Sequence, residues 1–408
     1  MKILMVNKFL YARGGAETYM LKVGAFLESL GHDVQYFGMY DAQNTVGNRI
    51  DEYTSNMDFH EKRLSRFLYP FRILYSREAY QKITKVLEDF NPDIVHFNNI
   101  NFQLTPSIID AVYKKKIPMI MTVHDYQMIC PNHSLYSIKD KKPCEKCIHG
   151  NVFHCMKGKC IHSSTTKSIL GVIEYFLYRI RKNYKKIDLY ICPSKFLESR
   201  LLLSRPKVYK GKTKVMCNYA KIPDLTNIEK ISKIEKKDYV LFAGRLSKEK
   251  GVEVLAETAK LLPDIQFVVA GDGPDKKVLE NIKNVHLKGF VSGNEFFRLI
   301  AEAKFEVVPS ICYENCPISI LEAQAMGTPV VTAGVGGMAE LVEDGITGLH
   351  VKPMTAEALA ETISQLLNND EKLNELTENC IKKADEIVTL ENYTRELFET
   401  YTKIIRGK

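Results

Sequence analysis

Between Tyr313 and Met326 the chain reads YENCPISILEAQAM, which sets two carboxylates, Glu314 and Glu322, on either side of a proline. Pro317 suits the first turn of a helix, where its missing N–H is not needed. The loop Glu314-Asn315-Cys316 then leads onto a positive helix end. Backbone N–H groups from Asn315 to Ile318, either side of Pro317, make that end a natural seat for a phosphate. Glu314 falls on the loop and Glu322 about one and a half turns into the helix, so the two reach different hydroxyls of one ligand. A phosphate held between sugar-binding carboxylates describes a nucleotide-sugar site. Taken alone, the stretch also reads as an ordinary capped helix with a solvated glutamate.

Three further strand-and-turn units surround it. The apolar run 239–243 feeds Gly244-Arg245-Leu246-Ser247-Lys248-Glu249-Lys250-Gly251, and a helix pattern follows over 252–262. Strand, Gly-rich turn and helix is the arrangement in which phosphates meet backbone amides, and Arg245 and Lys250 add fixed cations. A second unit runs from Phe267 into Gly271-Asp272-Gly273-Pro274. A strand over 305–310 leads into the Glu314 loop, and one over 329–333 ends in Gly336-Gly337-Met338-Ala339-Glu340. Near-continuous apolar strands separated by helices imply a parallel sheet covered on both faces, with ligands at the strands' C-terminal ends.

Together these residues resemble the retaining glycosyltransferases of the family 4 type. The resemblance rests on Gly244-Arg245 with Lys250, on Gly271-Asp272-Gly273-Pro274, on Glu314 with Glu322, and on Gly336-Gly337 with Glu340. It extends to the N-terminal half through Gly14-Gly15-Ala16-Glu17 and Thr122-Val123-His124-Asp125. It implies an α/β chain of GT-B architecture: two Rossmann-like domains with parallel sheets facing across a cleft, and a C-terminal helix crossing back to the N-terminal domain. By the same resemblance, Arg245 and Lys250 neutralise the donor diphosphate, Glu322 takes the ribose hydroxyls and Glu314 the sugar hydroxyls. Glu340 is a weaker candidate, for the ribose or as the cap of its helix. The Gly14-Gly15 loop meets the donor's phosphate and sugar, and His124 hydrogen-bonds the sugar with Asp125 as a candidate orienting partner. The chain departs from the family pattern at Asn218, which Tyr219 follows in place of glycine.

A chain of 408 residues exceeds the size at which one core stops growing. The expected division is an acceptor-side domain over 1–222, a nucleotide-sugar domain over 223–388, and a C-terminal helix over 389–408. Strands are expected at 2–7, 33–38, 93–98, 118–124 and 189–193, with a polar linker over 223–237. No run of 18 apolar residues exists and the N-terminus enters a strand directly, so a cytoplasmic protein is expected.

Charge is uneven. Residues 1–222 hold 35 Lys+Arg against 19 Asp+Glu, and 223–408 hold 22 against 30, so the first half is suited to an anionic partner. Two basic segments, 59–85 and 168–186, interleave aromatic and aliphatic residues with Lys and Arg. They fit helices in a membrane interface, at the inner face of the cell membrane, or surface helices whose apolar stripe joins the core. A nucleic-acid partner is not expected, because no binding module is recognisable.

Cys130, Cys144, Cys147, Cys155 and Cys160 fall among four histidines in a polar stretch. Cys144-x-x-Cys147 is spaced for a chelate, and a structural Zn²⁺ would order a segment too poor in apolar residues to fold alone. The alternative is an acceptor-site loop with free thiols. Cys217 and Cys316 read as ordinary buried or local cysteines.

The expected reaction is transfer of a hexose or N-acetylhexosamine to a glycan or lipid-linked acceptor, as in surface polysaccharide assembly. No cofactor is required, and no Asp-x-Asp occurs to hold a metal on the diphosphate. A nucleotide-sugar epimerase or a sugar phosphorylase would keep the same phosphate loops. A nicotinamide-dependent oxidoreductase fits less well, since no strand is followed by Gly-x-Gly-x-x-Gly. A non-catalytic nucleotide-sugar sensor, or a metal-binding scaffold built on the cysteine segment, is the remaining alternative.

Overall fold

A computed structural model describes residues 1–56, 74–220 and 234–407. Most of the basic segment 59–85 and of the linker 223–237 therefore lies outside the described residues. The described part divides into two units: Met1–Asp140, Cys144–Met216 and Leu390–Lys408 in one, Lys141–Pro143 and Cys217–Thr389 in the other.

The first unit is built on β1 (Lys2–Val6), β2 (Asp33–Phe37), β3 (Ile94–Phe97) and β4 (Met119–Thr122). A two-residue strand, β5 (Tyr136–Ser137), lies in the cysteine segment; β6 (Lys142–Pro143) falls in the short stretch assigned to the second unit, and β7 (Leu189–Cys192) and β8 (Thr213–Val215) follow in the first. The sheet order is β2-β1-β3-β4-β7-β8, and every pair is parallel. Parallel strands need helical crossovers that cover both faces, which is why β3 and β4 are buried throughout. The helix Leu390–Arg406 belongs to this unit. Tyr393 Oη lies 2.8 Å from Tyr19 Oη, Tyr401 Oη lies 2.6 Å from His96 Nδ1, and Phe398 stacks on His32.

The second unit holds β9 (Lys237–Ala243), β10 (Gln266–Ala270), β11 (Val285–Gly289), β12 (Ala303–Val308), β13 (Val330–Thr332) and β14 (Gly348–His350). Their order is β11-β10-β9-β12-β13-β14, again all parallel. Alternation along the strands divides two cores. Val240, Phe242, Phe267, Val269, Phe305 and Val307 fill one face, and Tyr239, Leu241, Val268, Ala270 and Val308 fill the other. Two strands gave no sequence signal. β11 is an edge strand with no fully buried residue, and β14 is only three residues long.

Candidate active site

In the second unit the C-terminal ends of β9, β10, β12 and β13 carry the predicted donor residues. The first two turns interlock: Gly244 N–H donates to Ala270 O at 2.9 Å, and Leu246 N–H to Asp272 O at 3.0 Å. A Cβ on Gly271 would stand 1.8 Å from Gly244 O, and one on Gly273 would stand 2.3 Å from Leu246 O. Backbone approach of that kind admits only glycine. Arg245 lies on this turn and is exposed.

Lys250 reaches the Glu314 loop. Its Nζ is 2.6 Å from Glu314 Oε1, which also accepts from Ser310 Oγ at 3.0 Å. Burial pulls the Lys250 ammonium down, but the Glu314 carboxylate and its hydrogen bond outweigh that and raise it above the ordinary value. Lys250 is therefore a cation at neutral pH. The loop itself is braced from behind. Gly337 N–H donates to Glu314 O at 2.7 Å, and a Cβ on Gly337 would stand 1.7 Å from Asn315 O. Pro317 takes the N-cap position of the helix Ile318–Ala325, one residue before the predicted first turn. Asn315 and Ile318 are half-buried and Cys316 is buried beside them. Glu322 is half-buried within the helix, and Glu340 is exposed on the short helix Met338–Leu341.

Sequence reasoning missed Glu306. It lies in β12, fully buried. Burial pushes its carboxyl up to about 8 against a Ser319 hydrogen bond that lowers it, and the Glu322 charge adds to the rise. It is therefore neutral at pH 7. A glutamate inside an apolar strand carries no signal of its own, because one letter does not reveal burial.

In the first unit, Gly14 and Gly15 open the helix Gly15–Ser29 after β1. A Cβ on Gly14 would come no nearer than 3.2 Å, to Glu17 Oε2, and one on Gly15 would meet open space. Asn7 Nδ2 donates to the buried Glu17 Oε1 at 3.2 Å, which holds the helix start against the strand end.

His124 follows β4, and its Nε2 lies 2.9 Å from Asn98 Oδ1 at the end of β3. Its ring meets Tyr19 edge-on at 5.1 Å. With Asn98 oriented to accept, Nε2 carries the proton. Burial lowers His124 to about 3, so it works as a neutral imidazole. Asp125 does something else: its Oδ1 accepts Gln127 N–H at 2.9 Å. Asn98 is the residue that holds His124 Nε2, where the sequence suggests Asp125 as a candidate. Behind it, His96 is bound by Thr122 Oγ1 at 2.7 Å and by Tyr401 at 2.6 Å.

The cysteine segment packs against a later helix. Cys130, Cys147 and Cys155 are buried, and Cys144 and Cys160 are half-buried. Among the described residues, no group of three or more His, Cys, Asp or Glu side chains is arranged to hold a metal ion. Cys130 Sγ donates to Asn132 Oδ1 at 2.7 Å, and the Cys155 and Cys160 thiols bind one another. Burial pushes the Cys130 thiol up to about 11 and the Cys147 thiol up to about 12. The apolar residues the segment lacks come from the helix Thr165–Ile180. Val172 and Tyr175 of that helix join Cys147, Val152 and Cys155 in one cluster.

Two six-stranded parallel sheets with helical crossovers define an α/β enzyme scaffold of GT-B architecture. The whole chain is similar in fold to sucrose-phosphate synthase from Thermosynechococcus elongatus (TM-score 0.70, 18% identity, all of both chains). It is similar also to Anabaena HepE in complex with UDP-glucose (TM-score 0.66, 18% identity, 99% of this chain and all of that one). Residues 13–218 match Glycosyltransferase Family 4 and residues 224–384 match Glycosyl transferases group 1, so the chain belongs to the family 4 glycosyltransferases. Alpha-D-kanosaminyltransferase of Streptomyces kanamyceticus is 36% identical over 158 residues, which span 36% of this chain and 41% of that protein. An uncharacterized glycosyltransferase of Methanocaldococcus jannaschii is 25% identical over 387 residues, 93% of this chain and 92% of its own length.

Proposed function

We propose that this protein transfers a hexose or N-acetylhexosamine, with retention, from a nucleoside-diphosphate sugar to a glycan or lipid-linked acceptor. The observation that carries the reading is the Lys250–Glu314 pair at 2.6 Å, set among glycine turns that bring backbone amides to the strand ends. Lys250 and Arg245 are assigned to the diphosphate, with the amides after Glu314 sharing its charge. Negative charge developing on the leaving phosphate is then stabilised where it forms, commonly the largest catalytic contribution. Glu314, held by Lys250 and Ser310, is assigned to the sugar hydroxyls and Glu322 to the ribose. His124, neutral and donating through Nε2 to Asn98, is assigned to the donor sugar's hydroxyls. Attack on the face the phosphate leaves, with a phosphate oxygen taking the acceptor's proton, needs no protein nucleophile. No step calls on a metal or cofactor.

A membrane-proximal acceptor is supported by the helix Thr165–Ile180. Ile169, Ile173 and Ile180 are exposed at helical spacing, and Arg179, Arg181 and Lys182 are exposed beside them. Apolar and cationic groups side by side suit an anionic bilayer surface. Surface polysaccharide assembly at the cytoplasmic face of the membrane is the setting this favours.

UDP-glucose is the first donor to examine, alongside GDP- and ADP-sugars, by calorimetry and by transfer assay. Lys250→Ala and Arg245→Ala should each lower turnover by roughly 100-fold or more, the range seen when one charge-stabilising group is removed. Near-normal transfer by either variant would overturn the assigned roles. Binding of no sugar nucleotide at all would overturn the function.

A further inference from the structure

Cys217 and Cys316 place their sulfurs 3.4 Å apart. Cys217 lies just past β8, and Cys316 ends the Glu314 loop directly before Pro317. Asn218 Nδ2 donates to Cys316 O at 3.1 Å, so the same two backbones are already tied. Both thiols sit in an apolar cluster with Ala220, Leu321, Leu341 and Ile387. Their mutual hydrogen bond lowers Cys217 and, with burial, raises Cys316. The bond favours the Cys217 thiolate against both burial and the Glu340 charge. One sulfur is thus the better nucleophile and the other its protonated neighbour. A disulfide needs an S–S separation of about 2.05 Å.

We propose that Cys217 and Cys316 are a redox modification site, at which a peroxide closes a reversible disulfide that pins the Glu314 loop and weakens donor binding. The Cys217 thiolate attacks a peroxide oxygen, the O–O bond breaks, and sulfenic acid forms with hydroxide leaving as water after protonation. The Cys316 thiol then displaces the sulfenic hydroxyl as a second water. Two thiols and one hydrogen peroxide become one disulfide and two waters, and a small-molecule thiol reverses the change. The consequence follows from where Cys316 sits. The Glu314–Lys250 contact and the Gly337–Glu314 hydrogen bond belong to the same short loop, so fixing its last residue restricts every group on it. The effect on donor binding rests on the donor-site reading proposed above.

The test treats the full chain with hydrogen peroxide, blocks remaining thiols, maps linked peptides by mass spectrometry, and measures donor affinity before and after reduction. A Cys217–Cys316 peptide is expected, with a loss of donor affinity of roughly fivefold or more, the low end of coupling between two sites. Dithiothreitol should restore affinity. Cys217→Ser, or Cys217→Ala should the first fold poorly, should bind donor like the parent when reduced and lose the peroxide sensitivity. Oxidation that links only Cys155 and Cys160, or a mapped Cys217–Cys316 link with unchanged affinity, would overturn the proposal. A reduced protein that binds no sugar nucleotide would instead overturn the donor-site reading and the binding consequence with it. The peptide map then decides the modification site independently.

Discussion

The glycines at the strand ends of the two units are there for different reasons. In the second unit, Gly271, Gly273 and Gly337 are demanded by the fold, since any Cβ would lie 1.7 to 2.3 Å from a backbone oxygen. In the first unit, Gly15 has nothing within 4 Å to exclude a side chain. One group of glycines lets loops interlock; the other leaves empty volume above a helix N-terminus, where backbone amides can receive a ligand. The polar groups differ in the same sense. The second unit relies on a charged pair, Lys250 with Glu314, while the first relies on the neutral His124 held by Asn98. A charged, braced cradle suits a diphosphate, and a neutral, open one suits sugar hydroxyls.

The sharpest way to break this comparison is Gly337→Ala. Forcing the Glu314–Asn315 backbone away displaces the predicted sugar and phosphate contacts together. Misplacement of about 1 Å can cost on the order of 100-fold in rate, so transfer should fall at least that far. Wild-type turnover in this variant would show that the bracing is irrelevant to the site. Gly15→Ala sharpens the contrast. Thermal unfolding should be unchanged or slightly higher, because alanine favours a helix start over glycine. Turnover should still fall by roughly tenfold as the methyl occupies the space assigned to the ligand. A variant both stable and fully active would reduce Gly15 to a turn residue.

The smallest effect concerns stability alone. Glu306 is raised from 4.5 to about 8, so the unfolded chain releases its proton at lower pH than the folded one. Folding stability from this residue is therefore complete below about pH 4.5 and declines as pH rises toward 8. Glu306→Gln should remove that decline, stabilising the protein at pH 8 by an amount on the order of a few kcal/mol. Denaturant titrations at pH 5 and pH 8 check it. An equal slope in both proteins would mean that Glu306 is already ionised. His96 and His124 act in the opposite direction. Each is lowered from 6.5 to about 3, so their contribution is full above about 6.5 and is lost as pH falls toward 3.

Much of the second unit was legible because its signals are local. Glu314, Pro317, Lys250 and the glycine turns stand within a few residues of the strands that carry them, and apolar runs mark those strands. Asn98, Tyr19 and Thr122 were not legible, because each matters only through a partner on another strand or helix. The packing of the cysteine segment was hidden for a related reason: chelate-like spacing is visible along the chain, whereas Val172 and Tyr175, which cluster with Cys147 and Cys155, come from a later helix. Glu306 and the Cys217–Cys316 pair are the clearest such cases, the second separated by 99 positions along the chain.

What the residues alone determined is the alternation of apolar strands and helices, the turns that end them, and the chemical types gathered at those ends. Periodicity and turn chemistry are properties of neighbours along a chain. Which carboxylate is neutral, which histidine nitrogen carries the proton, and which thiols touch were decided only when distant segments packed and removed those groups from water. Desolvation and distance are properties of the folded chain, and no reading of consecutive letters contains them.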